Sequence, residues 1–252
     1  MTGDPGEADP DRPTPAPRTV VEERPLSPMR RTIADRLGES YRSAVHVTLH
    51  RDLDAGGLAT AVERAGNALE VEVSLLDGLL VAISDALSAH PALNATFEDG
   101  VHRTYAEHNL AVAIALEDGL VTPVVADVAA RSLAEVAEVR RRLTGRVQAG
   151  DYTMADLQGG TFTVSNLGPL GVDAFTPVIN PPEVAILGVN RLRETPRRGD
   201  GGVEFRPTLP VDLSIDHRVV DGADGARFLE TLAGTVGDAD ALAAQWDLES
   251  TA

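Results

Sequence analysis

The spacing of apolar residues in this chain switches repeatedly between the helical and the strand period. It must therefore fold as helices packed on a sheet rather than as either alone. Met29, Ile33, Leu37 and Tyr41 recur every four residues, behind Ser27, a good N-cap, and Pro28, which a first helical turn tolerates. Val45, Val47 and Leu49 then alternate with His46, Thr48 and His50, so residues 45–53 read as strand. Residues 58–69 read as helix. Ser74 with Asp77, and Ser132 with Glu135, have capping-box spacing. They open one very apolar helix that stops before Pro91 and a second that runs to about Gln148. Between them, Asp99-Gly100 reads as a turn between short strands. Residues 110–116 and 120–128 read as apolar strands joined at Glu117-Asp118-Gly119. Strands are predicted again at 161–165, 183–189 and 203–215, before a terminal helix over 223–236. Helices and strands mix without strict alternation, several neighbours look like hairpins, and no internal repeat is present. The predicted class is α/β with a mixed sheet.

A chain of 252 residues is long enough to bury a sizeable core. Residues 1–25, rich in Pro, Asp and Glu, offer almost nothing to bury and are predicted to be a disordered acidic lead-in. The absence of cysteine excludes disulfides, zinc–thiolate sites, iron–sulfur clusters and a cysteine nucleophile. All 22 basic residues are arginine, which excludes a Schiff-base lysine and a Walker-type phosphate loop. The net charge of −17 has the wrong sign for a non-specific nucleic-acid binder. Acidic charge without lysine reads instead as solvent adaptation, resembling proteins of salt-loving (halophilic) organisms. No run of about 18 apolar residues and no basic-then-apolar leader is present, so a cytoplasmic protein is expected.

Five candidate features remain. His46 and His50 are four apart, but on a strand that spacing separates them by about 13 Å, too far for one metal ion. His90, His102 and His108 adjoin turns or helix ends and read as solvated polar residues. His217 stands where an apolar strand ends in LSIDHRVVDGADGARFL, a place from which an imidazole can reach into a cleft and take a proton. The stretch GGTFTVSNLGPLGVDAFTPVINPPEVAILGV (residues 159–189) ends a strand at Ser165-Asn166 and continues into a Gly- and Pro-rich loop. That loop carries Leu170, Val172, Phe175, Val178 and Ile179, too apolar for a solvent loop, so it is expected to pack against something, a subunit neighbour included. Ser165 is either a nucleophile with His217 as base or a hydroxyl donor to an oxyanion, and spacing leaves both open. Arg36 falls inside the apolar stripe of the first helix and is expected to need a carboxylate.

These two stretches together strongly resemble the catalytic core of the dihydrolipoamide acyltransferases, the E2 components of 2-oxo acid dehydrogenase complexes, in the chloramphenicol-acetyltransferase-like superfamily. LSPMRRTIADRLGES, HPALNATFEDG, EDGLVTPVVADVAARSLAEV and GARFLETL carry the resemblance outward, over about residues 26–236. It implies a two-layer sandwich of a mixed sheet packed by helices, with residues 26–252 as the acyltransferase domain. It implies His217 as general base toward a thiol of coenzyme A or dihydrolipoamide, Ser165 as oxyanion donor, and Asp221 as a charge partner near the site. Arg36 is expected to pair with Asp221, and Asn166 and Gly222 to support the site. No metal is expected, and the resemblance implies a homotrimer or a higher multiple of three with sites between subunits. The family's full-length chains carry a lipoyl domain and a peripheral-subunit-binding domain, which 25 residues are too few to hold. The lipoyl group is therefore expected in trans, on a lipoyl-bearing protein, with E1 and E3 subunits as further candidate partners. Ala44-Val45 and Asn190 depart from the family's usual Pro and Gly. Two other classes stay open: an assembly homologue with little catalysis, and a coenzyme A-dependent acyltransferase for a non-lipoyl acceptor.

Overall fold

In the computed structural model, which describes residues 16, 18–117, 119–199 and 201–248, local sequence signals set the helix boundaries. Ser27 caps α1 (Pro28–Ser43) by accepting from the Arg30 amide. After β1 (His46–Asp54) and α2 (Gly56–Ala68), reciprocal capping boxes open α3 (Leu75–Ala89) at Ser74 and Asp77, and α4 (Leu133–Gln148) at Ser132 and Glu135. Such boxes satisfy two otherwise orphaned amides each. Asp99 and Gly100 take the left-handed conformation between β2 (Ala95–Glu98) and β3 (Val101–Thr104).

The two strands predicted over 110–128 are four. β4 (Leu110–Val112) and β7 (Val124–Val125) stay in the main sheet, while β5 (Ile114–Leu116) and β6 (Gly119–Val121) form a separate hairpin. Pro123, which has no N–H to give a ladder, breaks the second run. The predicted turn residue Asp118 lies outside the described residues, as do residues 1–15 and 17 of the expected lead-in. Residues 18–25 are exposed and form neither helix nor strand.

β8 (Phe162–Asn166), β9 (Ala185–Val189), β10 (Arg193–Gly199) and β11 (Gly202–Asp216) complete a seven-stranded mixed sheet in the order β1-β11-β9-β8-β4-β7, with β10 also paired to β11. β8 runs parallel to β9 and β4, and β11 runs antiparallel to β1, β9 and β10. α5 (Gly222–Gly237) and α6 (Ala239–Gln245) close the chain. The expectation of helices against a mixed sheet holds. The strand β10 and the helix α6 had no counterpart in the sequence reading.

The sheet has two unlike faces, because VDLSID on β11 alternates strictly. Val211, Leu213 and Ile215 are fully buried on the face covered by helices, where Gly225 of α5 sits over Leu49, Leu213 and Ile215 and Phe228 meets Phe162. Asp212, Ser214 and Asp216 point to the other face and are also buried. What covers them is the 167–182 loop. The Phe175 amide donates to Asp212 (2.9 Å), and the Ile179 amide lies 3.3 Å from His46 Nε2. The apolar loop thus packs first on its own sheet, while Leu170 stays exposed. No helix among the described residues is long and apolar enough to cross a membrane.

His108 corrects the expectation of a solvated side chain. It is 5% exposed, bonds Ser84 at 2.7 Å, and burial lowers its pKa against the opposing charges of Asp127 and Asp85. His90 bonds Thr231 and His102 bonds the Ala92 carbonyl, so neither is simply solvated.

Candidate active site

His217 is the first residue beyond β11. Its amide donates to the Val45 carbonyl (2.8 Å), and the Val219 and Val220 amides donate back to the Asp216 carbonyl (both 3.1 Å). Those bonds fix the turn that leads into α5. The Asp216 side chain accepts from the Val45 and Arg218 amides and from the Arg218 guanidinium. Burial pushes this carboxyl up, but the Arg218 and backbone hydrogen bonds outweigh it and hold its pKa below the ordinary value. Arg218 also stacks on Phe97, 4.7 Å from the ring centroid. The imidazole of His217, 41% exposed, therefore stands on a rigid turn and stays open to a reactant.

Asp221 lies 3.9 Å from His217 Nδ1, too long for a hydrogen bond, and its side chain is 80% exposed at the N-cap of α5. Gly222 is the first residue of that helix. The expected Arg36–Asp221 pair is not formed within the chain. Arg36 Nη2 donates to the Pro181 carbonyl instead (2.8 Å), and Ser40 donates to the Ile179 carbonyl (2.7 Å). The physical reason is that α1 does not bury its stripe. Met29 and Ile33 meet Gly119, but Leu37 and Tyr41 are exposed, the latter by 73%, so Arg36 is not forced to find a carboxylate.

Ser165, 9% exposed, sits near the end of β8 on the polar face of the sheet. No hydrogen bond ties its hydroxyl among the described residues. Asn166 turns the chain out of the strand by accepting from the Gly168 amide (3.0 Å). Register places Ser165 opposite Gly188, and Gly188 opposite Asp212. His217 is five residues further along β11, at the other end of the sheet. With about 3.3 Å per residue and about 4.8 Å per strand, Ser165 and His217 of one chain stand roughly 19 Å apart. One chain cannot bring both to one reacting atom.

Sequence reasoning missed two buried carboxyls. Asp212 lies in the Ser165 row and bonds His50, Asn190 and the loop. Glu183, at the end of the same loop, accepts from Thr163 (2.5 Å) and Asn180 (3.2 Å). Burial pushes its carboxyl up to about 7 against those bonds and the Arg36 charge. The strict alternation of VDLSID was the available signal for the first; the second had none. His46 and His50 each find a partner of their own, and no group of three or more metal-ligating residues occurs among the described residues.

Residues 19–244 match the family described as 2-oxoacid dehydrogenases acyltransferase (catalytic domain). The acetyltransferase component of the acetoin cleaving system of Bacillus subtilis is 34% identical over 230 residues, covering 88% of this chain and 57% of that one. A succinyltransferase component of the 2-oxoglutarate dehydrogenase complex of Rickettsia felis is 35% identical over 210 residues, covering 81% and 52%. The chain thus spans about half the length of these curated relatives. The solved dihydrolipoamide acetyltransferase of Azotobacter vinelandii superposes with a TM-score of 0.83 at 32% identity, covering 91% of this chain and 99% of that one. A chloramphenicol acetyltransferase, at 15% identity and a TM-score of 0.55, shares the fold. With most of its length matched by the family and by these relatives, this chain belongs to the 2-oxoacid dehydrogenase acyltransferases, as their catalytic domain.

Proposed function

We propose that this domain transfers an acyl group between coenzyme A and a dihydrolipoyl carrier by direct thiol attack on a thioester. His217 takes the thiol proton as the sulfur attacks the thioester carbon. A thiol near pKa 8.5 is mostly protonated at neutral pH, so the base matters. The carbonyl oxygen becomes an oxyanion, which Ser165 Oγ–H stabilises by donating to it. Collapse breaks the original C–S bond, and the leaving thiolate takes the proton back from the imidazolium. No acyl-enzyme is needed. Asp221 stands 3.9 Å from His217 Nδ1 and does not hold the ring by a hydrogen bond.

The observation that carries this reading is a shared spacing. The Azotobacter enzyme was studied for a serine, a histidine and an asparagine in its catalytic mechanism, and their separations along that chain equal those between Ser165, His217 and Asp221. The third position differs in type, carboxylate for amide. The roughly 19 Å between Ser165 and His217 supports a site shared between subunits, with one residue from each, and hence a trimer or a multiple of three. One solved relative forms the cubic core of a pyruvate dehydrogenase multienzyme complex. By the same reading the partners are a lipoyl-bearing protein and the other enzymes of such a complex.

The test is to mix purified protein with acetyl-CoA or succinyl-CoA and either free dihydrolipoamide or a panel of alcohols and amines. Coenzyme A release only with dihydrolipoamide is expected. Release with a small alcohol or amine and none with dihydrolipoamide would overturn the acceptor assignment.

A further inference from the structure

The polar face of the sheet carries a side-chain knot that the proposed chemistry does not use. Ser165, Gly188, Asp212 and His50 form one row across β8, β9, β11 and β1. Asp212, 2% exposed, is saturated by three donors from three different elements. Its Oδ2 accepts from the Phe175 amide of the loop (2.9 Å) and from Asn190 Nδ2 at the end of β9 (2.7 Å). Its Oδ1 bonds His50 Nδ1 on β1 (2.6 Å), whose side chain is 61% exposed. Phe175 is the loop residue that lies over Gly188, where a Cβ would come within 2.7 Å of its ring. The ring therefore occupies the space beside Ser165, and its backbone is held by Asp212.

We infer that Asp212 is a positioning residue for the Ser165 side of the site: its Oδ2 pins the 167–182 loop, and with it Phe175, against the strand that carries Ser165. The inference rests on the reading of Ser165 as the oxyanion donor. A hydroxyl with no partner of its own is oriented by the walls around it, and a misplacement of about an ångström there weakens an interaction made only in the transition state. The effect should therefore fall on kcat rather than on KM. His50 secures the other oxygen and so fixes the carboxylate plane.

The substitution Asp212→Ala, assayed in the full chain with acetyl-CoA and dihydrolipoamide, is expected to lower kcat by about tenfold or more, with KM for acetyl-CoA within about twofold. Hydrogen exchange in residues 167–182 should accelerate. Asp212→Ser, too short to reach the Phe175 amide, serves in its place if alanine does not fold. Asp212→Asn should rescue. Its amide oxygen can take the Oδ2 position and accept both donors, while its NH2 faces His50 in the other tautomer. Turnover within about threefold of wild type and unchanged exchange are expected there. On a Ser165→Ala background, Asp212→Ala should add no more than about twofold, because the group it positions is gone. Wild-type kcat in Asp212→Ala beside an impaired Ser165→Ala overturns the inference alone, as does an Asp212→Asn variant as impaired as the alanine. Wild-type turnover in Ser165→Ala overturns the oxyanion reading and the inference with it.

Discussion

Glu183 should make the stability of this protein depend on pH, and in an unusual direction. Its side chain lies between the loop and β8, with Gly160 so close that a Cβ there would sit 2.7 Å from Oε1. Burial holds the carboxyl at about 7 in the folded chain, against 4.5 for an ordinary glutamate. Between those values the folded chain keeps a proton that the unfolded chain has released. The unfolded state binds fewer protons, so stability falls as pH rises through the window. Below 4.5 both states are protonated and the site contributes nothing; above about 7 both are ionised and the full cost is present. That gap corresponds to roughly 3 kcal/mol. Glu183→Gln removes the titration; its Oε1 can accept from Asn180 as the carboxylate does, and its Nε2 can donate to the Thr163 hydroxyl, reversing the bond that Glu183 accepts there. Urea unfolding at fixed protein concentration should show the variant within about 0.5 kcal/mol of wild type at pH 4.5, and roughly 3 kcal/mol more stable at pH 8.5. Equal offsets at both pH values would refute the reasoning, and a less stable variant at pH 8.5 would reverse it.

His217→Ala should lower turnover about 10² to 10⁴-fold with circular dichroism unchanged, as for loss of a positioned general base. Ser165→Ala should cost about 10² to 10³-fold in kcat with little change in KM; acylated Ser165 trapped in mass spectrometry would make the serine a nucleophile instead. Arg140 is the half-buried partner of Asp77, the fully buried capping residue of α3. Arg140→Leu should strand that carboxylate and cost about 3 to 5 kcal/mol, a fall of roughly 6 to 20 °C in Tm by calorimetry.

What the sequence made legible was local. Ser27, Ser74 and Ser132 mark helix starts because a cap is settled within four residues, and all three stand where predicted. His217 was visible because a strand end, a turn and a helix start lie side by side in DHRVVDG. What stayed hidden depends on which distant segment covers which face. The stripe of α1 has helical spacing, yet the helix lies largely exposed, so the Asp221 partner expected for Arg36 from that stripe together with the family resemblance is not found within the chain, where Arg36 donates to the Pro181 carbonyl. His108 looks like a turn residue until α3 brings Ser84 against it. The knot at Asp212 draws donors from residues 50, 175 and 190, and no window of sequence contains all of them.

The measurement that bears most directly on the account is subunit complementation. Ser165 and His217 of one chain lie roughly 19 Å apart, so the proposed site takes one residue from each of two subunits. Inactive His217→Ala and Ser165→Ala proteins, mixed in equal amounts under exchange conditions, pair an intact histidine with an intact serine at about one interface in four. Recovery of about a quarter of wild-type specific activity is expected on reassembly, and none when each variant is reassembled alone. A mixture as inactive as its components, despite proven subunit exchange, would contradict it, as would a wild-type monomer that is active by itself.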